Sequence, residues 1–216
     1  MHQPLVIAYH LIWTAYGWWL PNDPRGSGSK EIRQDVLKDL GDLHYGRKRV
    51  QPSGQVVREF YEKAAALLKH PLLTFDEQAR GAIATAFAEV IEQERYSCYA
   101  CAIMPDHIHI LIRKHKHLAE DMIENLKLHS RLRLSGSGHR TADHPAWTAG
   151  VGWKVFLDHP DEIRRTIPYI EQNPTKIGLP SQHWPFVKPY DGWPLHAGHS
   201  PNSPYAKGLR AVGRYP

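Results

Sequence analysis

Residues 107–112 read His-Ile-His-Ile-Leu-Ile, and this alternation constrains the fold more than any other stretch of the chain. In extended backbone successive side chains project to opposite faces. His107, His109 and Leu111 therefore share one face, and Ile108, Ile110 and Ile112 the other. A face of three isoleucines has to be buried, so the strand belongs to a sheet covered by other elements on that side. On the opposite face the two imidazoles stand about 6.5–7 Å apart at the backbone, from a rise of ~3.3 Å per residue. Their rings can converge on one cation while leaving most coordination positions open, as a catalytic metal requires. The same pattern also suits two histidines packed on a half-buried strand, so it needs a second observation.

The flanking sequence supplies the rest of a sheet. Residues 4–16, rich in β-branched and aromatic side chains, read as a first strand, followed by a Gly/Pro/Asn/Asp-rich loop at 17–29. Helical spacing recurs over 31–45 and 55–69, separated by Gln-Pro-Ser-Gly-Gln; these two segments read as a helical insertion. Thr74 and Glu77 have capping-box spacing ahead of a helix over roughly 75–94. Strands at 96–103 and 107–113 flank a Met-Pro-Asp turn. A helix follows at 118–134, with Leu118, Met122, Leu126 and Leu132 expected inward. A short strand covers 152–158. A last helix opens on Pro160, Asp161 and Glu162 and stops before Pro174. Without the insertion and the last helix the order is βαββαβ, the ferredoxin-like α+β pattern of an antiparallel sheet with helices packed on it. The expected organisation is one domain over 1–190, with 31–69 inserted, and a Pro/Gly-rich tail over 191–216.

Charge and cysteine usage narrow the function classes. The 216 residues carry a formal charge of +5, which favours nucleic acid or an acidic surface as partner. No run approaches the roughly 18 apolar residues of a membrane helix, and Met1-His2-Gln3-Pro4 lacks a signal-peptide layout, so a cytoplasmic protein without a membrane partner is expected. Cys98 and Cys101 have CxxC spacing, yet on a regular strand they would point to opposite faces and could not chelate one ion together. They read as buried thiols. A nucleotide hydrolase with three alternating histidines is disfavoured too, because Leu111 fills the third position.

The second constellation is Tyr169 and Asn173, four apart on the last helix and hence on one face, with Ile163, Ile167 and Ile170 mostly on another. A phenolate can attack a phosphodiester and form a phosphotyrosine. Free tyrosine has a pKa of about 10, so it needs help at neutral pH, which a divalent cation on the phosphate can give. Two imidazoles and an amide carbonyl would make a three-ligand platform suited to Mg²⁺ or Mn²⁺. Pro168, inside this helix, would remove a hydrogen bond and bend the axis.

Taken together, Met104-Pro105-Asp106-His107-Ile108-His109, the strand Gly152–Leu157, the run Tyr169–Leu179 and the opening His10–Gly26 resemble the IS200-like one-tyrosine transposases, and within them the REP-associated tyrosine transposases. The resemblance spans roughly residues 5–190. It implies that His107 and His109 are the paired metal ligands of an HUH motif, that Asn173 is a third, amide ligand, and that Tyr169 is the nucleophile. It implies cleavage and rejoining of single-stranded DNA beside a hairpin through a 5′-phosphotyrosine, by a monomer or a homodimer. Candidate DNA contacts are Arg25 in the first loop, Lys127, Arg131 and Arg133 on one helix, Lys154 on the last strand, and Arg164 and Arg165 beside Tyr169. The alternatives are a domesticated transposase that binds nucleic acid without cutting it, and a small metallophosphoesterase.

Overall fold

A computed structural model describes residues 6–138, 140–141, 143–193 and 211. Most of the tail expected over 191–216 thus lies outside the described residues. Four strands form one antiparallel sheet: β1 (Ala8–Thr14), β2 (Cys98–Ile103), β3 (His107–Arg113) and β4 (Trp153–Leu157). Their order is β2-β3-β1-β4. Each pairing is antiparallel, as in the split βαββαβ arrangement.

Helices α2 (Glu77–Glu94) and α3 (Ala119–Gly136) cover one face of the sheet. The main core lies there, where Leu11 and Trp13 of β1 and Ile108, Ile110 and Ile112 of β3 meet Ile83, Phe87, Met122 and Leu126. The opposite face carries a smaller cluster in which Ala8, Leu111 and Leu157 pack against Ile163 and Ile170 of α4 (Pro160–Glu171). The apolar stripe of α4 is therefore the one expected. The helix continues past Pro168 to Glu171, and a four-residue turn, α5 (Asn173–Lys176), follows.

Several local expectations are corrected. The N-cap of α2 is Asp76, whose carboxylate accepts from the Ala79 amide 2.7 Å away, so Thr74 does not form the capping box. Leu118 and Leu132 are exposed, because Leu118 is the N-cap of α3 and Leu132 lies on its outer side. A bulge between Cys98 and Ala100 breaks the strict alternation of β2. Both cysteines consequently enter the same core under α2, as buried free thiols.

The insertion holds one helix, α1 (Gly54–Leu67), and only a 3₁₀ turn at Asp35–Leu40 where a helix over 31–45 was expected. It has its own apolar cluster of Leu20, Leu37, Tyr61 and Ala64. It is also stitched to the first loop. The amide of Ser27 donates to His44 O, that of Gly46 to Ser27 O, and that of Lys48 to Arg25 O. Gly26 (φ +96°) makes this approach possible, since a Cβ there would collide with the Gly46 carbonyl.

A histidine cluster beneath the tyrosine helix

The strand register places the chemistry on the α4 side of the sheet. Ile12 of β1 pairs with His109, His10 with Leu111, and Thr14 with His107. Partners across a ladder point to the same face, so His10, His107 and His109 line one surface. The rings of His107 and His109 lie 4.9 Å apart between centroids and nearly perpendicular, at 79°. Tyr169 projects from α4 over them. Its ring is 5.8 Å from His109 and 6.0 Å from His10, edge-on to both. The tyrosine helix therefore delivers its phenol to the histidine pair of the same chain. Tyr169 is 42% exposed, so an incoming group can reach it. The ammonium of Lys176, on α5, sits 4.9 Å above its ring.

Both imidazoles of the pair are held by their Nδ1 atoms. His107 Nδ1 is 2.6 Å from the Asp106 carboxylate, and His109 Nδ1 is 2.9 Å from His10 Nε2. Among the described residues neither Nε2 has a hydrogen-bond partner. Burial first, and then the positive neighbours His107, His10, Lys176 and Arg47, push His109 well below the usual imidazole range, so its ring is neutral near pH 7. Burial pushes His10 down to about 4. Burial disfavours the Asp106 carboxylate, but its hydrogen bond to His107 and the positive charges of His107 and Arg25 outweigh this and hold it below the usual range. Asn173, expected on the same helix as Tyr169, is instead the first residue of α5, and among the described residues its buried amide nitrogen has no partner.

This donor set fits a divalent cation. Two imidazoles, each tied back at Nδ1, expose Nε2, the arrangement found where histidines bind metals. The Asn173 amide has an unsatisfied end, and a half-turn about its last bond exchanges nitrogen for the carbonyl oxygen that a cation would take. Among the described residues no group of three or more His, Cys, Asp or Glu side chains is arranged for a metal, so a site here depends on that amide.

The candidate DNA contacts fall into two groups. Arg165 is exposed on α4, four residues before Tyr169 and on its stripe; Arg164 is exposed and paired with Asp161 at 2.6 Å. The others do not gather around Tyr169. Lys127 and Arg133 lie on the covered side of the sheet, where α3 packs. Lys127 is buried and donates to the carbonyls of Thr148 and Gly150. Arg133 pairs with Glu89 of α2. Lys154 shares the face of its partner Leu11 and pairs with Glu120 of α3. Arg131 is exposed, also on α3. Arg25 is folded into the first loop: it makes a two-pronged bond to the buried Asp23, reaches Tyr61 Oη at 3.0 Å, and stacks 4.0 Å over Trp19.

Residue-by-residue reading of the sequence missed three members of the cluster. His10 stands at the start of the longer run His10–Gly26, although a histidine inside the apolar run Tyr9–Ile12 is itself a usable signal. Lys176 and Arg47 carry no local signal; only the fold brings their charge to His109.

Comparison with known proteins accords with this arrangement. The family model described as "Transposase IS200 like" matches residues 67–173, which run from the end of α1 through Asn173 and so contain the histidine pair and Tyr169. No curated protein matches the chain. Among solved structures, a REP-associated tyrosine transposase bound to a REP hairpin aligns over 100% of this chain and 87% of its own, at 12% identity and a TM-score of 0.43. An inferred transposase from Deinococcus radiodurans R1 aligns over 80% of this chain and 94% of its own, at 16% identity and a TM-score of 0.37. The matched span holds β2, β3, β4, the histidine pair and the tyrosine helix, and the chain belongs to the IS200-like transposases.

Proposed function

We propose that this transposase cleaves and rejoins single-stranded DNA next to hairpin sequences, with Tyr169 as nucleophile and a divalent cation, Mg²⁺ or Mn²⁺, held by His107, His109 and Asn173. The observation that carries the reading is the Tyr169 ring lying edge-on over His109 at 5.8 Å on an accessible face. A cation held there would supply Lewis-acid polarisation of the phosphoryl oxygens. The chain's own groups do the rest. Tyr169 Oη gives up its proton to solvent, attacks the phosphorus and forms the Oη–P bond. The P–O3′ bond breaks, and the leaving oxygen takes up a proton to become a 3′-OH. The product is a 5′-phosphotyrosine whose ester energy is retained, so a second 3′-OH can attack it and free the tyrosine without an external energy source. Lys176, beside the phenol, supplies positive charge where negative charge collects on the phosphate. Arg165, Arg164 and Arg47 are the further cations on this side available to the DNA backbone. A REP-like hairpin is the proposed substrate class, because the structure-matched transposase is described with one bound.

The test is incubation of the protein with labelled hairpin-bearing oligonucleotides and Mg²⁺ or Mn²⁺, read on a denaturing gel. Wild type should give a slower-migrating protein–DNA adduct. Tyr169→Phe should give none, with hairpin affinity unchanged. Adducts formed by the Phe variant would assign the nucleophile elsewhere. Binding by wild type without any adduct would favour the non-catalytic alternative.

A further inference from the structure

We infer that His10 is a positioning residue: its Nε2 accepts the Nδ1 proton of His109, and this fixes His109 in the one tautomer whose Nε2 can hold a cation. The inference rests on the proposed metal role of His109 and extends it to a strand outside the paired-histidine motif.

The geometry is specific. His10 sits on the central strand β1, only 6% exposed, paired with Leu111 and diagonal to His109. Its Nε2 lies 2.9 Å from His109 Nδ1, and the two rings are tilted by 30° at 5.1 Å. Neutral imidazole carries one proton, on one nitrogen or the other. A hydrogen bond between two such nitrogens needs one donor and one acceptor. If His10 donates, His109 Nδ1 holds the lone pair and its Nε2 carries hydrogen, which blocks coordination. If His10 accepts, His109 Nε2 is free. His107 reaches the same state by another route, because the Asp106 carboxylate at 2.6 Å can only accept. The two imidazoles are thus set alike by different acceptors, a carboxylate at the rim and a neutral imidazole on the buried central strand. A carboxylate at position 10 would place a charge on this buried strand beside Leu111, whereas an imidazole brings none.

A buried histidine pair that serves only stability would tolerate either direction of the bond, so the tests separate orientation from packing. Nitrogen-15 NMR of the metal-free wild type at neutral pH reads the His109 tautomer directly. The Nδ1–H form is expected, and an Nε2–H form overturns the inference whether or not the protein cuts DNA. Mn²⁺ affinity, measured by calorimetry on the full chain without DNA, gives the second readout. His10→Leu fills the space without an acceptor and should weaken Mn²⁺ binding by about 10–100-fold, the usual effect of losing such an outer partner. His10→Gln places a carbonyl oxygen at the reach of Nε2 and should restore most of that affinity. Equal weakening in both variants, or none in His10→Leu, overturns the inference. Should His10→Leu fail to fold, the tautomer measurement and the Gln variant still decide. The Tyr169 adduct assay reports separately on the cleavage reading.

Discussion

Replacing Tyr61 by Phe removes one oxygen and tests whether the 31–69 insertion is built into the catalytic domain. Tyr61 lies on α1 and is 5% exposed. Its hydroxyl donates to the Asp23 carboxylate, accepts the Trp19 amide at 2.7 Å and accepts Arg25 at 3.0 Å. Burial and the neighbouring Asp23 charge push this phenol far up, so it acts as a proton donor at every accessible pH. The Phe variant keeps the ring contact with Trp18, whose centroid is 4.6 Å away, so little packing is lost. It leaves the Trp19 amide without an acceptor, a cost of about 1–3 kcal/mol, and removes one bond to the fully buried Asp23, about 1.5–3 kcal/mol. Arg25 still bonds Asp23 twice, so the lower part of the combined range applies, about 3 kcal/mol. At roughly 2–4 °C per kcal/mol for a domain of this size, the melting temperature should fall by about 6–12 °C. Because Arg25 also adds to the field on Asp106, which holds His107, adduct formation should slow as well. Calorimetry or circular-dichroism melts check the first outcome and the labelled-oligonucleotide gel the second. A Tyr61→Phe protein melting within 2 °C of wild type would refute the reasoning, because the hydroxyl would then carry no buried bonds of consequence.

Three further outcomes are expected. Lys127→Met should destabilise the fold by about 1–3 kcal/mol, because the carbonyls of Thr148 and Gly150 lose their donor, while the salt dependence of DNA binding stays unchanged; a shallower salt slope would return Lys127 to the DNA interface. Lys176→Met should slow adduct formation about fivefold without altering hairpin affinity, in line with ~1 kcal/mol for a solvated charge pair at about 4 Å; an unchanged rate would remove Lys176 from the site. For pH, the folded protein holds His10 at about 4 against 6.5 when unfolded, so the unfolded chain binds more protons between those values. Stability is then fully present above about pH 6.5 and is lost as pH falls toward 4, by about 3 kcal/mol for this group at ~1.36 kcal/mol per pH unit. His109, likewise lowered, acts in the same direction. Urea unfolding of metal-free protein at pH 7, 5.5 and 4.5 should show this loss, and His10→Gln should flatten it; parallel slopes would contradict the assignment.

The strand alternation at 107–112 and the helical stripe Ile163–Ile170 were legible because one residue type repeats at the period of its element, and burial of that face leaves no other register. The bulge in β2 was not, since nothing in Cys98-Tyr99-Ala100-Cys101 marks which residue is left unpaired. Lys127, Arg133 and Lys154 each have a partner on the α2/α3 side, which the sequence did not show because it gives charge without its partner. The helix expected over 31–45 reduces to a 3₁₀ turn, in which only Leu37 is buried while Ile32 and Leu40 rest partly exposed against the same cluster.

The outer edge of β2 is closed by a side-chain amide and a backbone amide. Gln182 donates to the Ile103 carbonyl and accepts its N–H, both at 2.8 Å, while Lys188 donates to Cys98 O further along the strand. A side chain here counterfeits a backbone neighbour and occupies the hydrogen-bonding groups that an extra strand would need. Growth of the sheet by a foreign segment is thereby blocked at this margin. A chain cut before Ser181 would present it as an adhesive seam, prone to clumping for reasons unrelated to DNA.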